Sequence, residues 1–440
     1  MDDLLAARSQ MALSLGFHIV FACIGMVMPF MMAVAHYKWI RTGKEKYLLL
    51  TKSWSKGVAI FFVTGAVSGT LLSFELGLLW PRFMEHAGPI FGMPFSLEGT
   101  AFFVEAIALG FYMYGWNKFS KWFHWLTGVI VGISGIASGI LVVAANAWMN
   151  SPTGFEYVNG EYIHIDPVQA MFNDAWFSQA LHMVIAAFSA TGFAVAGIHA
   201  WNYFREHHPA FHKSAFRIAL AIGSIAALLQ PISGDISAKD VAKRQPAKLA
   251  AMEAHYHTEE RAPLILGGIV DEKNESVRYA IRLPGVLSFL AHGNFTEEVK
   301  GLDQIARENR PPVALTHYSF QVMVGCGMLM MLTGLIFLIG RWRFPAWLDH
   351  RYFLWLVMAC TPLGFIAVEA GWMVTELGRQ PWIIYGHMRT ADALTPMPGI
   401  QYSFYAFATI YLLLAVMVTW LMNRQIRSVN ELYSSASIQN

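Results

Sequence analysis

Hydrophobic positions along this chain gather into long runs, and short loops rich in lysine and arginine separate them. A helix needs about 20 predominantly apolar residues to cross a bilayer. Runs of that kind occur near residues 11–35, 54–80, 95–116, 123–148, 177–203, 215–232, 314–340, 352–375 and 402–423. The pattern predicts an all-α integral membrane protein with nine transmembrane helices. Residues 233–312 break it. That segment is polar, mixed in charge and marked by turn signals in QPISGD, GGIVDEKNE and ENRPP, which predicts one large folded loop outside the membrane between helices six and seven. The chain divides accordingly into residues 1–232 with helices one to six, the loop at 233–312, and residues 313–440 with helices seven to nine and a C-terminal tail.

The basic residues give the loops a direction. Lys38, Arg41, Lys44, Lys46, Lys52 and Lys56 fall on one side, with Lys118, Lys121, Arg205, Lys213, Arg217, Arg341, Arg343, Arg351, Arg424 and Arg427. Outside the long loop, the other side has only Arg8, Arg82, Arg379 and Arg389. Short basic loops stay in the cytoplasm. The N-terminus and the long loop are therefore expected outside and the C-terminus inside. Composition agrees with a membrane protein: 55% of residues are hydrophobic and 14% charged, against roughly 25% charged in soluble domains. A net charge of +2 gives no argument for nucleic acid. Cys23, Cys326 and Cys360 lie inside apolar runs and form no CxxC or CxxCH, so neither a disulfide framework, a zinc knuckle nor covalent c-type haem is expected. The acidic start MDDLLAARSQ is unlike a secretory signal, and the first run reads as a retained helix.

Ionisable residues inside the runs carry the candidate chemistry. A carboxylate near a helix centre costs about 2.5–3.5 kcal/mol on insertion scales, which singles out Glu75, Glu98, Glu105, Glu369 and Glu376. Glu98 and Glu105 are seven apart, on one helix face and about 10 Å apart along the axis. Such a pair suits a proton relay, although Glu98 also reads as an interfacial residue near a helix start. His18 and His182 lie inside the outward halves of their spans. His36, His124, His199 and His317 sit at helix ends or in loops, where solvated side chains are expected. With the expected orientation, His18, His182, Met323 and Glu376 all fall in the outer half of the membrane. The residues alone leave open a redox enzyme and an ion-coupled transporter working through Glu98 and Glu105.

GWMVTELGRQPW, residues 371–382, narrows the choice. It resembles the end of helix eight in the haem-bearing subunit I of cytochrome bd-type quinol oxidases. LSLGFHIVF is similar to that family's first helix, FSLEGTAFFVE to its third and ANAWMNSPTG to its fourth-helix exit. QPAKLAAMEA resembles its quinol loop and HYSFQVMVG the start of helix seven. The matches run in order over nearly the whole chain.

The resemblance implies that His182 and Met323 are axial ligands of a low-spin haem b. His18 and Glu376 would each ligate one iron of a second pair, a high-spin haem b and haem d; which takes which stays open, as does haem b in place of haem d. Glu98, Glu105 and Ser138 would lie on proton or haem-adjacent paths, Trp372 beside the haems, and Arg379 facing their propionates. Lys248 and Glu253 match a pair implicated in quinol binding. Gln321 stands where long-known members have arginine two residues before the haem methionine, which removes a positive charge expected beside the low-spin haem. The loop lacks the large insertion of some relatives and resembles the short-loop, sometimes cyanide-insensitive, branch. The implied activity is oxidation of ubiquinol or menaquinol at the outer side of a bacterial cytoplasmic (inner) membrane. O2 would be reduced to water with cytoplasmic protons, electrogenically and without a pump. Implied partners are a second membrane subunit, subunit II, with room for a small accessory subunit. A haem-b quinol electron-transfer or sensor protein is the alternative within redox chemistry.

Overall fold

The computed structural model describes residues 1–158, 161–205 and 209–436. Among them, nine helical stretches are long and apolar enough to cross a membrane. The first four are α1 (Asp3–Thr42), α2 (Glu45–Leu79), α3 (Pro81–Tyr114) and α4 (Lys121–Asn150). A hairpin of β1 (Glu156–Val158) and β2 (Glu161–Ile163) and the short α5 (Pro167–Met171) lead into α6 (Trp176–Phe204) and α7 (Pro209–Arg244). The long loop holds α8 (Pro246–Met252), β3 (Glu259–Glu260), β4 (Leu264–Leu266), β5 (Ile269–Asp271), β6 (Ser276–Arg278), β7 (Ile281–Leu283), α9 (Val286–His292) and β8 (Glu298–Val299). The chain finishes with α10 (Val313–Arg343), α11 (Arg351–Cys360), α12 (Leu363–Leu377), a hairpin of β9 (Trp382–Ile384) and β10 (Met388–Arg389), and α13 (Ile400–Ala436). The end of the expected C-terminal tail, past Ala436, lies outside the described residues.

The structure corrects the sequence reading in three places. First, α7 continues to Arg244, so residues 233–244 are helix and the irregular loop starts later than expected. Hydropathy reports where the bilayer ends, not where the helix ends. Beyond that point α7 is supported by ion pairs one turn apart, Lys239 to Asp235 at 2.6 Å and Arg244 to Asp240 at 2.7 Å. Second, the eighth span is two helices, α11 and α12, broken at Thr361 and Pro362; proline supplies no amide to continue the ladder. Third, the four end-of-helix histidines are not solvated. His36 Nδ1 bonds the Tyr112 hydroxyl at 2.9 Å and His124 Nε2–H donates to Tyr112 O at 2.7 Å. His199 accepts from Trp54 Nε1–H at 3.1 Å and pairs with His212 at 2.9 Å. His317 Nδ1–H donates to Met252 O at 2.8 Å. These positions are packed against neighbouring helices and the loop, so each ring finds a protein partner in place of water.

The helices form two groups. α1 to α4 and α13 pack together, α6, α7, α10, α11 and α12 form the second group, and α1 and α4 meet α6 between them. Lipid gives helices no hydrophobic reason to associate, so close packing of small residues matters. Gly192 on α6 and Gly223 on α7 lie so near each other that a Cβ on Gly192 would strike the Gly223 backbone. In the loop, the β5–β6 hairpin sits inside the β4–β7 pair, and β3 pairs with β8. One end of the molecule gathers the start of α1 with the start of α13, where Ile400 N–H donates to Asp3 at 3.0 Å. The end of α4 is there too, with Tyr385 N–H donating to Met149 O at 3.0 Å. The long loop covers this same end, because Gln245 donates to Asn150 O at 3.1 Å. At the opposite end Asp349 is clamped by Lys213 at 2.6 Å and Arg217 at 3.3 Å.

Candidate functional site

Glu376 lies in the last turn of α12 and is held on both oxygens. Asn146 Nδ2–H of α4 donates to Oε1 at 2.7 Å, and Arg379 Nη2–H donates to Oε2 at 2.6 Å. Arg379 is 2% exposed, yet its Nε and Nη1 have no partner. A buried guanidinium with two free donor nitrogens presents them to an anion. Asn146 and Arg379 thus each partner one oxygen of this carboxylate. Gln380 then bonds Thr390 at 3.0 Å, folding the β9–β10 segment back over this end of α12. Trp372, one turn earlier, packs against the main apolar core.

The two intramembrane histidines share one device. Ser68 and Ser233 each donate their hydroxyl hydrogen to their own helix, to Thr64 O at 3.0 Å and to Gln230 O at 2.9 Å. Each serine oxygen is thus left to accept from the facing histidine, His18 Nδ1–H at 2.9 Å and His182 Nδ1–H at 3.1 Å. A neutral imidazole with its proton on Nδ1 keeps the Nε2 lone pair for a metal. At His182 the Gln230 amide approaches that lone pair at 3.0 Å. Glycines face two of the candidate ligand side chains: a Cβ on Gly69 would stand 3.0 Å from His18 Cε1, and one on Gly371 3.0 Å from Met323 Sδ. Among the described residues no cluster of three or more His, Cys, Asp or Glu could cage a bare metal ion. Isolated imidazole, thioether and carboxylate donors, with glycine-lined space and a half-paired arginine, fit haem irons and their propionates.

α4 carries a polar line along one face. A Cβ at Gly135 would stand 3.5 Å from Glu105 Oε1, and Ser138 Oγ–H donates to Glu98 at 2.9 Å. Asn146 then reaches Glu376, and Asn150 accepts from Lys248 Nζ–H at 2.6 Å. From Gly135 to Asn150 this line spans about 22 Å of helix. Glu105 is 7% exposed and sits deepest along it. Glu369, two turns before Glu376, lies apart from this line, with Oε2 3.2 Å from where a Cβ on Gly16 of α1 would be. Glu75 accepts from Ser14 at 2.7 Å.

The loop residues are deeper than loop residues usually are. Lys248 and Glu253 are each 3% exposed, at the two ends of α8. Lys248 leans over the end of α12, its Cγ 2.7 Å from where a Cβ on Gly378 would lie. The Glu253 end approaches α10 through Met252 O and His317. Burial, reinforced by Arg379 and opposed by Glu376, brings the Lys248 ammonium down to about 7. Burial alone lifts the Glu253 carboxyl to about 8, and its Oε2 has no partner. Gln321 turns toward the loop, donating from Nε2 to Ile265 O at 2.9 Å.

Ser68, Ser233, Gln230 and Asn150 were missed in the sequence. Asn146 and Asn150 did leave a signal, two amides four apart inside an apolar run. Ser233 left none, since it fell in the segment expected to be loop.

The family model described as cytochrome bd terminal oxidase subunit I matches residues 6–430. A Bacillus subtilis (strain 168) protein is 36% identical over 431 residues, 96% of either chain; its name, marked as provisional, is cytochrome bd menaquinol oxidase subunit I. Cytochrome bd ubiquinol oxidase subunit 1 of the same organism is 31% identical, covering 97% of this chain and 94% of its own. The solved structure of bd oxidase from Geobacillus thermodenitrificans superposes with a TM-score of 0.92 at 37% identity, covering 97% of this chain and 99% of that one.

Proposed function

The chain belongs to the cytochrome bd terminal oxidase subunit I family, and from that premise we propose that it oxidises a membrane quinol at the α8 end and delivers the electrons to O2, forming water. The observation that carries this reading is the placement of α8. Its Lys248 end rests on the Glu376–Arg379 pair and its Glu253 end on α10, the helix that bears Met323. One short element thus joins a proton-exchanging pair to two of the four helices that carry ligand candidates.

Each residue has a task in that reading. Glu253, with an unpaired carboxylate oxygen, takes the quinol proton as general base, and the Lys248 ammonium donates to a quinone oxygen. His182 and Met323 would hold the low-spin haem b; His18 and Glu376 would hold the second pair, with Arg379 Nε and Nη1 turned to propionates. Bound haem supplies the electron-transfer and O2-reducing chemistry. Glu105 and Glu98, the latter fixed by Ser138, hold protons on the α4 face on the way from the cytoplasm. The basic loops support an outer position for the α8 end, in which quinol protons leave outside and those for water enter from inside. Charge then separates without a pump. A second membrane subunit and a bacterial cytoplasmic membrane complete the reading.

A reduced-minus-oxidised visible spectrum of the purified complex tests it. Low-spin haem b bands with a far-red chlorin band are expected. Haem b alone would point to an all-b oxidase or a quinol electron-transfer protein. A preparation with no haem would favour ion transport through Glu98 and Glu105.

A further inference from the structure

Four bonds tie the β4–β6 segment to the first turns of α10. Gln321 Nε2–H donates to Ile265 O at 2.9 Å, while Gln321 Oε1 accepts from Gly267 N–H at 3.3 Å. The Tyr318 hydroxyl accepts from Val270 N–H at 2.9 Å, and Glu272 accepts from Ala314 N–H, an orphan amide at the helix start, at 2.7 Å. Residues 314, 318 and 321 lie on one face of α10. Met323, two residues on, is about 200° round the helix and faces Gly371 of α12. The loop therefore rides on one face of α10 and Met323 points from the other.

The Gln321 contact is chemically particular. The turn between β4 and β5 offers one acceptor and one donor two residues apart, and Gly267 adopts φ +66. A primary amide matches both. A guanidinium has donors only and could not receive the Gly267 N–H.

We propose that Gln321 is a positioning residue for quinol oxidation: its amide clasps the β4–β5 turn to α10, fixing the register of the loop over the helix that carries Met323. The proposal rests on the reading that this loop meets quinol. Nothing in it requires the Gln321 side chain to touch haem; its donor and its acceptor are both engaged by the loop backbone.

The test uses the purified complex with Gln321→Leu and the near-isosteric Gln321→Glu. Amide exchange is followed at Gly267, with Leu302 N–H, bonded to His255 O at 3.1 Å in the same loop, as internal reference. Gln321→Leu should speed Gly267 exchange roughly tenfold relative to Leu302. Quinol KM should rise several-fold, with a much smaller change in kcat. Gln321→Glu should behave like Gln321→Leu when ionised, because a carboxylate cannot donate to Ile265 O. It should recover Gly267 protection as pH falls toward the ordinary carboxyl range, about 4.3, where the protonated acid again offers one donor and one acceptor. Unchanged Gly267 exchange in Gln321→Leu would overturn the clasp. Faster exchange with an unmoved KM would overturn its positioning role. A native complex that contains haem but does not oxidise quinol would instead defeat the functional reading.

Discussion

At Glu376 one carboxylate oxygen is held by Asn146 and the other by Arg379, so this candidate ligand also anchors its surroundings. In Glu376→Ala, Arg379 loses its carboxylate partner, which destabilises this end of α12. We expect one haem of the high-spin pair to be lost while the low-spin haem stays, read from the haem-to-protein ratio and band shapes; a normal ratio would reduce Glu376 to a helix-end residue. Met323→Leu has no lone pair for iron and should abolish the six-coordinate low-spin spectrum. Retention of that spectrum would remove Met323 from the ligand set. Glu253 and Lys248 make the pH prediction. The carboxylate base is the major form only above about 8, and the ammonium donor only below about 7. Quinol oxidation should therefore follow a bell centred between those values, and Glu253→Gln should lower the rate severely and erase the rising limb. The same substitution should stabilise the fold. The folded pKa of Glu253 lies above its unfolded value of about 4.3, so stability falls as pH rises from there to about 8. Glutamine escapes that cost, which thermal unfolding at neutral pH would show.

Among the elements, α4 and α8 decide how the site is joined. α4 is apolar enough to be found as a span, but its face with Ser138, Asn146 and Asn150 lines up with Glu98, Glu376 and Lys248 in turn. α8 is too short to be stable alone and is buried among larger helices. Asn150→Leu tests the joint. It leaves the Lys248 ammonium without its acceptor, a loss of about 1.5–3 kcal/mol for a bond to a charged group. That should move the falling limb of the pH profile down by roughly one to two units. An unmoved limb would mean that Lys248 does not titrate in the rate. α7 shows why helix ends were less legible than helix centres. Its outer turns are written in ion pairs between Asp235 and Lys239 and between Asp240 and Arg244, not in apolar residues.

For the whole molecule, the expected orientation can be checked with single cysteines. Tyr279 in the loop is 91% exposed and Trp342 at the opposite end 84% exposed. In a Cys326→Ser background, Tyr279→Cys should react with an impermeant thiol reagent in intact cells, and Trp342→Cys only after lysis. The reverse pattern would invert the topology. The sequence by itself determined that nine segments span, that a large loop follows the sixth, and which residue types stand inside the bilayer. Those conclusions follow from transfer free energies summed over about 20 neighbouring residues, a local property. It also supplied the matches that mark the family. Only the tertiary structure decided the partners: Ser68 and Ser233 for the two histidines, Asn146 for Glu376, Asn150 for Lys248, and the β4–β5 turn for Gln321. Each pair joins residues at least 50 positions apart, the shortest being His18 to Ser68. Which two side chains meet depends on how helices dock, and helix docking depends on small-residue contacts such as Gly192 against Gly223 that no local pattern records.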